Sequence, residues 1–569
     1  MMMMKQRNIF MLAVAFTLSM FTTGCTESDD LTDITSAKQN QQQEQPKPEE
    51  DAPLTDDFSA QLAAIDGVAD VVVETAKDEE TGQVNRFYTF TVPQFVDHND
   101  YSKGTFKQRV RILLNADRDL KAPVVLYTHG YNMMNNAGEV YVPEMTNYLK
   151  ANTLFVEHRY FGKSLPEPFE NLDFTYLYAD QAARDLHLVI SLMKQTVFKE
   201  SGKWTSTGVS KDGITTGLYA YYSDKYGWDD IDLYMPFCAP FLPATPTSCD
   251  DLKMGQYLYN ECGKGYPAGS KEERGYQLIR KIPAALLQDK ELYETCLRYF
   301  HKKKPQEYLD VIRDFARNEE NVTAGVIYCY YQELFMKFSY QTFPDWADLV
   351  PDVDKALINA TTDVEKQLKQ KAAQQVAEFI FMSMDELSAI ISNSAIPYLE
   401  PGHASKQPTG MMPKTLTDNE LLEVRSTDDA MPYYVQAVRE LGNIRLDVSA
   451  LDGLHFPGST NDFGFLTATI SRQSETSQLY NRYADQWDGG QLMKSFLQWV
   501  KTQNKYNMIF CYSQNDPWTG GAIDPGTNPR VRLSICRNGT HNDKFLNPQY
   551  YSETEKQTLL GYVKTFLGL

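Results

Sequence analysis

Ser210 stands in Trp204-Thr205-Ser206-Thr207-Gly208-Val209-Ser210-Lys211-Asp212-Gly213, which reads as a short strand, a glycine-flanked turn and a helix over 214–222. A serine hydroxyl is a poor nucleophile until a base takes its proton, and a sharp strand-to-helix turn lifts it clear of a sheet edge. A base and an acid to orient it are available downstream. Asp516 lies in Ser513-Gln514-Asn515-Asp516-Pro517-Trp518-Thr519-Gly520-Gly521 and His541 in Arg537-Asn538-Gly539-Thr540-His541-Asn542-Asp543, and no other histidine follows Asp516. In these roles Ser210 would attack, His541 would accept its proton and pass it to the leaving group, and Asp516 would fix the imidazole tautomer. Taken singly, Asp516-Pro517 also reads as a plain turn and His541 as an exposed loop residue; their order at strand ends argues for chemistry. Asp524, deeper in the same loop, ranks second as the acid. The oxyanion hole would use the backbone N–H groups of Lys211 and of Tyr131, in His129-Gly130-Tyr131-Asn132, with His129 structural.

The surrounding pattern must supply the strands. Residues 71–74, 86–92 and 105–114 read as β-strands, the last alternating apolar and polar as a half-buried antiparallel strand does. The apolar run at 123–128 reads as a buried parallel strand and 153–157 as a second buried strand, with further strands before Ser210 and at 231–236. Helical stretches at 142–149, 178–198 and 214–222 alternate with them, the rhythm of a doubly wound sheet. From 241 to about 455 the text is helical, with candidates at 274–287, 289–302, 308–317, 323–338 and 353–391. The α/β rhythm then returns with a helix at 489–502, strands at 506–512 and 530–536, and a helix at 552–566. The expected architecture is an α/β-hydrolase fold with a large inserted α-helical cap: core at 56–240, cap at 241–455, core again at 456–569. An independent helical binding domain is the alternative reading of 241–455.

With 569 residues, 42% of them hydrophobic, the chain has ample material for a core and for more than one domain. A net charge of −20 argues against nucleic acid and anionic membrane surfaces as partners. Lys5 and Arg7 precede an apolar run over 9–21, too short to span a bilayer, ending in Thr22-Thr23-Gly24-Cys25 and an acidic tract. This resembles a bacterial lipoprotein signal (1–24), with Cys25 lipidated and 25–55 a Gln/Pro/Glu-rich tether; an ordinary secretory signal is the alternative. Either way an extracytoplasmic location is expected: the cell envelope, at the outer membrane surface or the periplasmic face, with membrane contact only through the lipid. The other seven cysteines are an odd number, so at least one would stay free or pair between chains. No cysteine or histidine spacing marks a zinc site, and no metal or cofactor is expected.

Several motifs occur in one order: Val92-Pro93-Gln94-Phe95-Val96-Asp97-His98, Thr105-Phe106-Lys107-Gln108-Arg109-Val110, Glu157-His158-Arg159-Tyr160-Phe161-Gly162-Lys163-Ser164, Gln181-Ala182-Ala183-Arg184-Asp185 and Asn515-Asp516-Pro517-Trp518. From about residue 60 the chain therefore resembles the bacterial secreted tripeptidyl aminopeptidases (serine peptidase family thirty-seven), which are similar to prolyl carboxypeptidase and dipeptidyl peptidase II. The resemblance implies release of tripeptides from peptide N-termini, often after proline. Val209 and Asp212 depart from the family pattern Gly-Gly-Ser-Lys-Gly-Gly, which leaves a weakened or inactive member open. An exopeptidase needs a carboxylate for the terminal amine. Glu157 is the candidate, a buried Glu157–Arg159 pair being the structural alternative. Tyr160 and Trp518 would wall the pocket for the residue before the cleaved bond, or pack in the core. An esterase or lipase, or a non-catalytic surface binding protein, would share the fold.

Overall fold

The structure is a computed structural model. It describes residues 56–77, 84–133, 140–167, 174–243, 254–303 apart from 265 and 267, 321–325, 351–382, 431–442 and 484–569, with isolated positions between them. The signal segment, Cys25, the tether, Cys249, Cys329 and the helix expected at 308–317 lie outside these residues, as do most of 323–338 and the end of 353–391. Among the described residues, no helix is long and apolar enough to cross a membrane.

One nine-stranded sheet runs in the order β1-β2-β3-β5-β4-β6-β7-β8-β9. The strands are β1 Ala69–Lys77, β2 Val84–Phe95, β3 Thr105–Leu113, β4 Val124–Thr128, β5 Asn152–Val156, β6 Trp204–Val209, β7 Leu233–Phe237, β8 Met508–Ser513 and β9 Val531–Cys536. β1, β2, β3 and β5 pair antiparallel in turn, and every pairing from β5 to β9 is parallel. All residues of β4, β5, β7 and β8 are buried. Such strands need helices on both faces, which explains their unbroken apolar text. The helices are α1 Asp57–Ala63, α2 Glu144–Leu149, α3 Ala179–Thr196, α4 Lys211–Tyr226, α5 Met254–Asn260, α6 Lys271–Gln288, α7 Lys290–Lys303, α8 Val353–Ala356, α9 Asp363–Phe381, α10 Met431–Gln436, α11 Gln491–Thr502 and α12 Glu553–Leu567. This mostly parallel, helix-flanked sheet is an α/β-hydrolase fold, as expected. Helices α5 to α11 fall between β7 and β8 in the chain.

Two expectations are corrected. The helix over 353–391 is broken after Ala356, and α9 starts afresh at a capping box in which Thr362 and Glu365 satisfy each other's backbone N–H. Strand β3 is antiparallel but not half-buried: from Gln108 onward every residue is enclosed. Its polar positions are taken up by partners: Gln108 Nε2 donates to Glu157 O at 2.9 Å, and its arginines are matched. Arg109 pairs with Glu157, and Nε of Arg111 donates to Thr89 Oγ1 at 2.7 Å.

A second buried charge cluster pins α3 beneath the sheet. Asp185 accepts from Nε and Nη2 of Arg159, both at 2.7 Å, and its Oδ1 is 2.7 Å from Nε2 of His98. The remaining guanidinium donor, Nη1, reaches Val96 O and Tyr176 O at 3.1 Å. Removing one member strands the other charge without water. Asp185→Ala is therefore expected to lower the unfolding free energy by about 3–5 kcal/mol in guanidinium titrations. Lys121→Ala, which breaks an exposed pair with Glu200, is expected to leave the midpoint unchanged.

Candidate active site

Strand β6 delivers Ser210 at φ 60° and ψ −123°, a conformation that L-residues avoid. Two backbone bonds hold it there: Ser210 N–H donates to Phe237 O at 2.9 Å, and Ile214 N–H donates to Ser210 O at 2.9 Å. Gly208 makes the tight return possible, since a Cβ on it would lie 2.6–2.7 Å from the backbone and Cβ of Asp212. Lys211 opens α4, so its N–H belongs to the helix terminus that has no intrahelical acceptor. Ser210 itself is partly exposed.

The loops after β8 and β9 bring Asp516 and His541 together. Nδ1 of His541 and Oδ2 of Asp516 are 2.9 Å apart, and Asp516 is fully buried. The other carboxylate oxygen accepts from Trp518 N at 3.1 Å, fixing the carboxylate plane. The indole of Trp518 lies against the imidazole, ring centres 5.7 Å apart. Asn515 sews the surroundings together: its N–H donates to Gly539 O, its Oδ1 accepts from Gly263 N, and its amide nitrogen donates to Tyr266 Oη and Arg537 O. Asp524, the second-ranked acid, is exposed and pairs with Lys501 at 2.6 Å, away from His541.

Cys238, just past β7, was not anticipated as part of this site. It has φ 50°, and its Sγ lies 3.7 and 3.5 Å from the carbonyl oxygens of Thr540 and Asn542, the residues flanking His541. A cysteine directly after a buried strand was the available signal. Burial, and then the neighbouring Asp516 carboxylate, push the thiol up. Cys238, Asp516 and His541 offer ligand atoms within 4.8 Å of one another, as a small metal site would need. A thiol ligates only after losing its proton, and Asp516 already holds Nδ1 of His541. The set fits an acid–base pair with a protonated thiol beneath it. The five described cysteines, 238, 262, 296, 511 and 536, are all free and buried.

Other candidates change role. Glu157 is fully buried, and its carboxylate is taken up by Arg109, Met133 N at 2.8 Å, Lys163 N at 3.1 Å and Ser164 Oγ at 2.8 Å. It is no amine anchor, and its cationic partner is Arg109 rather than Arg159. Tyr160 is 2% exposed, packs on Phe174 and donates its hydroxyl to Glu167 Oε1 at 2.8 Å, which makes it a packing residue. Trp518 is equally buried, against His541. Tyr131 packs edge-on to Phe161 and to Tyr433, the latter just beyond the start of α10. His129 is held neutral, pushed down to about 3 by burial and then by Arg111 and Arg109, which accords with a structural role.

Charge is scarce and enclosed around the nucleophile. Burial pushes the Lys211 amine down to about 7 and the carboxyls of Asp212 and Glu440 up to about 7. Asp543, two residues past His541, is pushed up to about 6 by burial while accepting from the Tyr141 hydroxyl.

Residues 52–265 match the family model described as PS-10 peptidase S37. The chain is 24% identical over 457 residues to a prolyl tri/tetrapeptidyl aminopeptidase of Streptomyces mobaraensis, an alignment covering 80% of this chain and 74% of that one. It is 30% identical over 115 residues to a lysosomal Pro-X carboxypeptidase of Bos taurus, covering 19% and 23% of the two chains. Among solved structures, a proline iminopeptidase of Mycobacterium smegmatis aligns at 9% identity with a TM-score of 0.32, over 84% of this chain and 99% of that one. The rice cell wall degrading esterase LipA of Xanthomonas oryzae, as a mutant, aligns at 10% and 0.31, over 88% and 96%.

The raised carboxyls fix a sign for stability against pH. Asp212, Glu440 and Asp543 keep protons in the folded protein that the unfolded chain loses above ordinary carboxyl values of 3.8 to 4.5. Their stabilisation is complete below those values and is lost as pH rises through about 6 to 7. His129, pushed down to about 3, and His158, pushed well below its ordinary value, act with the opposite sign across the same window, so the carboxyl contribution is read by difference: the Tm of the wild type minus that of Asp543→Asn is expected to fall from about pH 4 to about pH 7. A difference that rises across that window would show that Asp543 is ionised in the fold.

Proposed function

We propose that this chain, which belongs to the PS-10 peptidase S37 family and is a serine peptidase, is an extracytoplasmic tripeptidyl aminopeptidase working through Ser210, His541 and Asp516. The supporting observation is the buried Asp516–His541 pair at 2.9 Å, carried on loops at the same sheet edge as the strained serine turn.

Ser210 Oγ attacks the carbonyl carbon of the third residue of a peptide, and His541 Nε2 takes the hydroxyl proton. The oxyanion is met by the N–H groups of Lys211 and Tyr131. Collapse breaks the C–N bond, His541 protonates the leaving amine, and the N-terminal tripeptide remains as an ester on Ser210. Water, deprotonated by His541, then releases it. Asp516 keeps Nδ1 protonated throughout, so that Nε2 is the basic nitrogen. No cofactor is required.

The name of the Streptomyces mobaraensis relative, a prolyl tri/tetrapeptidyl aminopeptidase, favours proline before the cleaved bond. Helices α5 and α10 support selection for chain ends, because they approach the site directly. Gly263, just past α5, donates its N–H to Asn515 Oδ1, and Tyr433 of α10 packs edge-on to Tyr131. The basic start, apolar run and Cys25 support export and a lipid anchor.

The test uses the full chain and Ser210→Ala on a free-amine tripeptide chromogen ending in proline, its N-blocked analogue and a short-chain ester. The expected result is turnover of the free-amine peptide alone, reduced in the mutant on the order of 10⁴-fold or more. Ester turnover without peptide turnover would make the chain an esterase. No turnover at all would leave a binding protein on a hydrolase fold.

A further inference from the structure

We propose that Asp212 is a positioning residue for the oxyanion hole, its carboxyl group tying the turn that carries the second donor to the turn that carries the nucleophile. The inference rests on the assignment of Ser210 as nucleophile made above.

Asp212 is the second residue of α4 and 8% exposed. Its side chain points at the neighbouring strand's end, where Oδ1 accepts from Gly130 N–H and the Tyr127 hydroxyl bonds to the same carboxyl. Its backbone carbonyl takes a further bond, from Thr128 Oγ1 at 2.9 Å, and that hydroxyl lies 2.6 Å from Thr216 Oγ1 one turn along α4. Residues 127, 128 and 130 are thus all fastened to residue 212. The next peptide unit carries the Tyr131 N–H, the proposed oxyanion donor.

The fastening is needed because of Gly130. A Cβ there would lie 2.8 Å from the carbonyl carbon of Lys211 and 2.9 Å from Asp212 N, so only glycine lets the two turns come this close. Glycine also leaves the direction of the following N–H the least constrained by its own backbone. An acceptor fixed on α4 and bonded to the Gly130 N–H supplies that constraint. The other titratable groups facing Asp212 are Tyr127 from β4, Lys211 from its own helix and Asp543 from the histidine loop.

An ordinary alternative is that an acid in the first helical turn merely complements the helix dipole. The two differ in what an amide would do, since asparagine keeps the acceptor oxygen and removes the charge.

Asp212→Asn and Asp212→Ala are made in the full chain and compared with the wild type in steady-state kinetics, peptide-aldehyde inhibition and amide hydrogen exchange of the 127–131 segment. In Asp212→Ala, kcat should fall about tenfold to a hundredfold with KM within about twofold, because a donor is misplaced in the transition state only. The aldehyde Ki should rise in step with the fall in kcat, and exchange of the segment should accelerate. Asp212→Asn should remain within about threefold of wild type in all three. Equal losses in both variants, an unchanged kcat in Asp212→Ala, or a loss confined to KM would overturn the proposal. Exchange does not depend on turnover. If the wild type cleaves no peptide, the functional assignment fails while unchanged exchange in Asp212→Ala would separately refute the tether.

Discussion

The site depends on one backbone conformation, Ser210 at φ 60° at the end of β6. A residue held in such a region costs about 1–3 kcal/mol and persists only where its surroundings over-determine it. Here they do. Phe237 at the end of β7 accepts the serine's N–H, α4 begins on its carbonyl, and Gly208 leaves no space for a looser turn. The same constraint starts α4 directly after the serine, so the Lys211 N–H is among the helix's first donors, which have no intrahelical acceptor. Asp516 and His541 are independent of this turn in sequence. The strands that carry them, β8 and β9, continue the parallel sheet beyond β7 and end at the same edge as β6.

Buried charges carry the scaffold on either side. Glu157 closes β5 and holds Arg109 of β3, Met133 and the 163–164 turn, while Asp185 holds Arg159 and His98 from α3. Each carboxylate gathers three or more donors, the condition under which a buried ion pair offsets its desolvation. Both clusters tie loops at the strand ends to the sheet or to α3, so the strand-end geometry rests on polar contacts as much as on the apolar core. Next to the nucleophile the charges are fewer, and burial pushes each toward its neutral form.

Much of this was legible in the sequence because it is written in local periodicity. Buried parallel strands such as β4 and β7 are largely apolar runs, and Ser210, Asp516 and His541 follow strands β6, β8 and β9 in the order the fold needs. What was misread depended on contacts distant in the chain. Arg159, two residues on, would share a face with Glu157 in a continuing strand, but β5 ends at Val156 and the chain turns at 159–160, so strand alternation does not reach it. The antiparallel register of β3 against β5, with Val110 opposite Val156, instead brings Arg109 beside Glu157. Arg159 finds Asp185, a residue already singled out in a motif but with no local sign of its partner. Asp212 departs from the family pattern at the serine turn, and its bond to Gly130 joins the first turn of α4 to a loop 82 residues earlier. The break before α9 was readable, since Thr362 and Glu365 have capping-box spacing, but the long helical run masked it.

The proposed function depends on activation of Ser210, on its strained turn, by His541. The most direct measurement is covalent labelling of the full chain with a fluorophosphonate, followed by peptide mapping. The account predicts a single adduct on Ser210, formed by the wild type and not by a folded His541→Ala variant. An adduct on another residue, or a folded wild-type protein that takes no label, would contradict it.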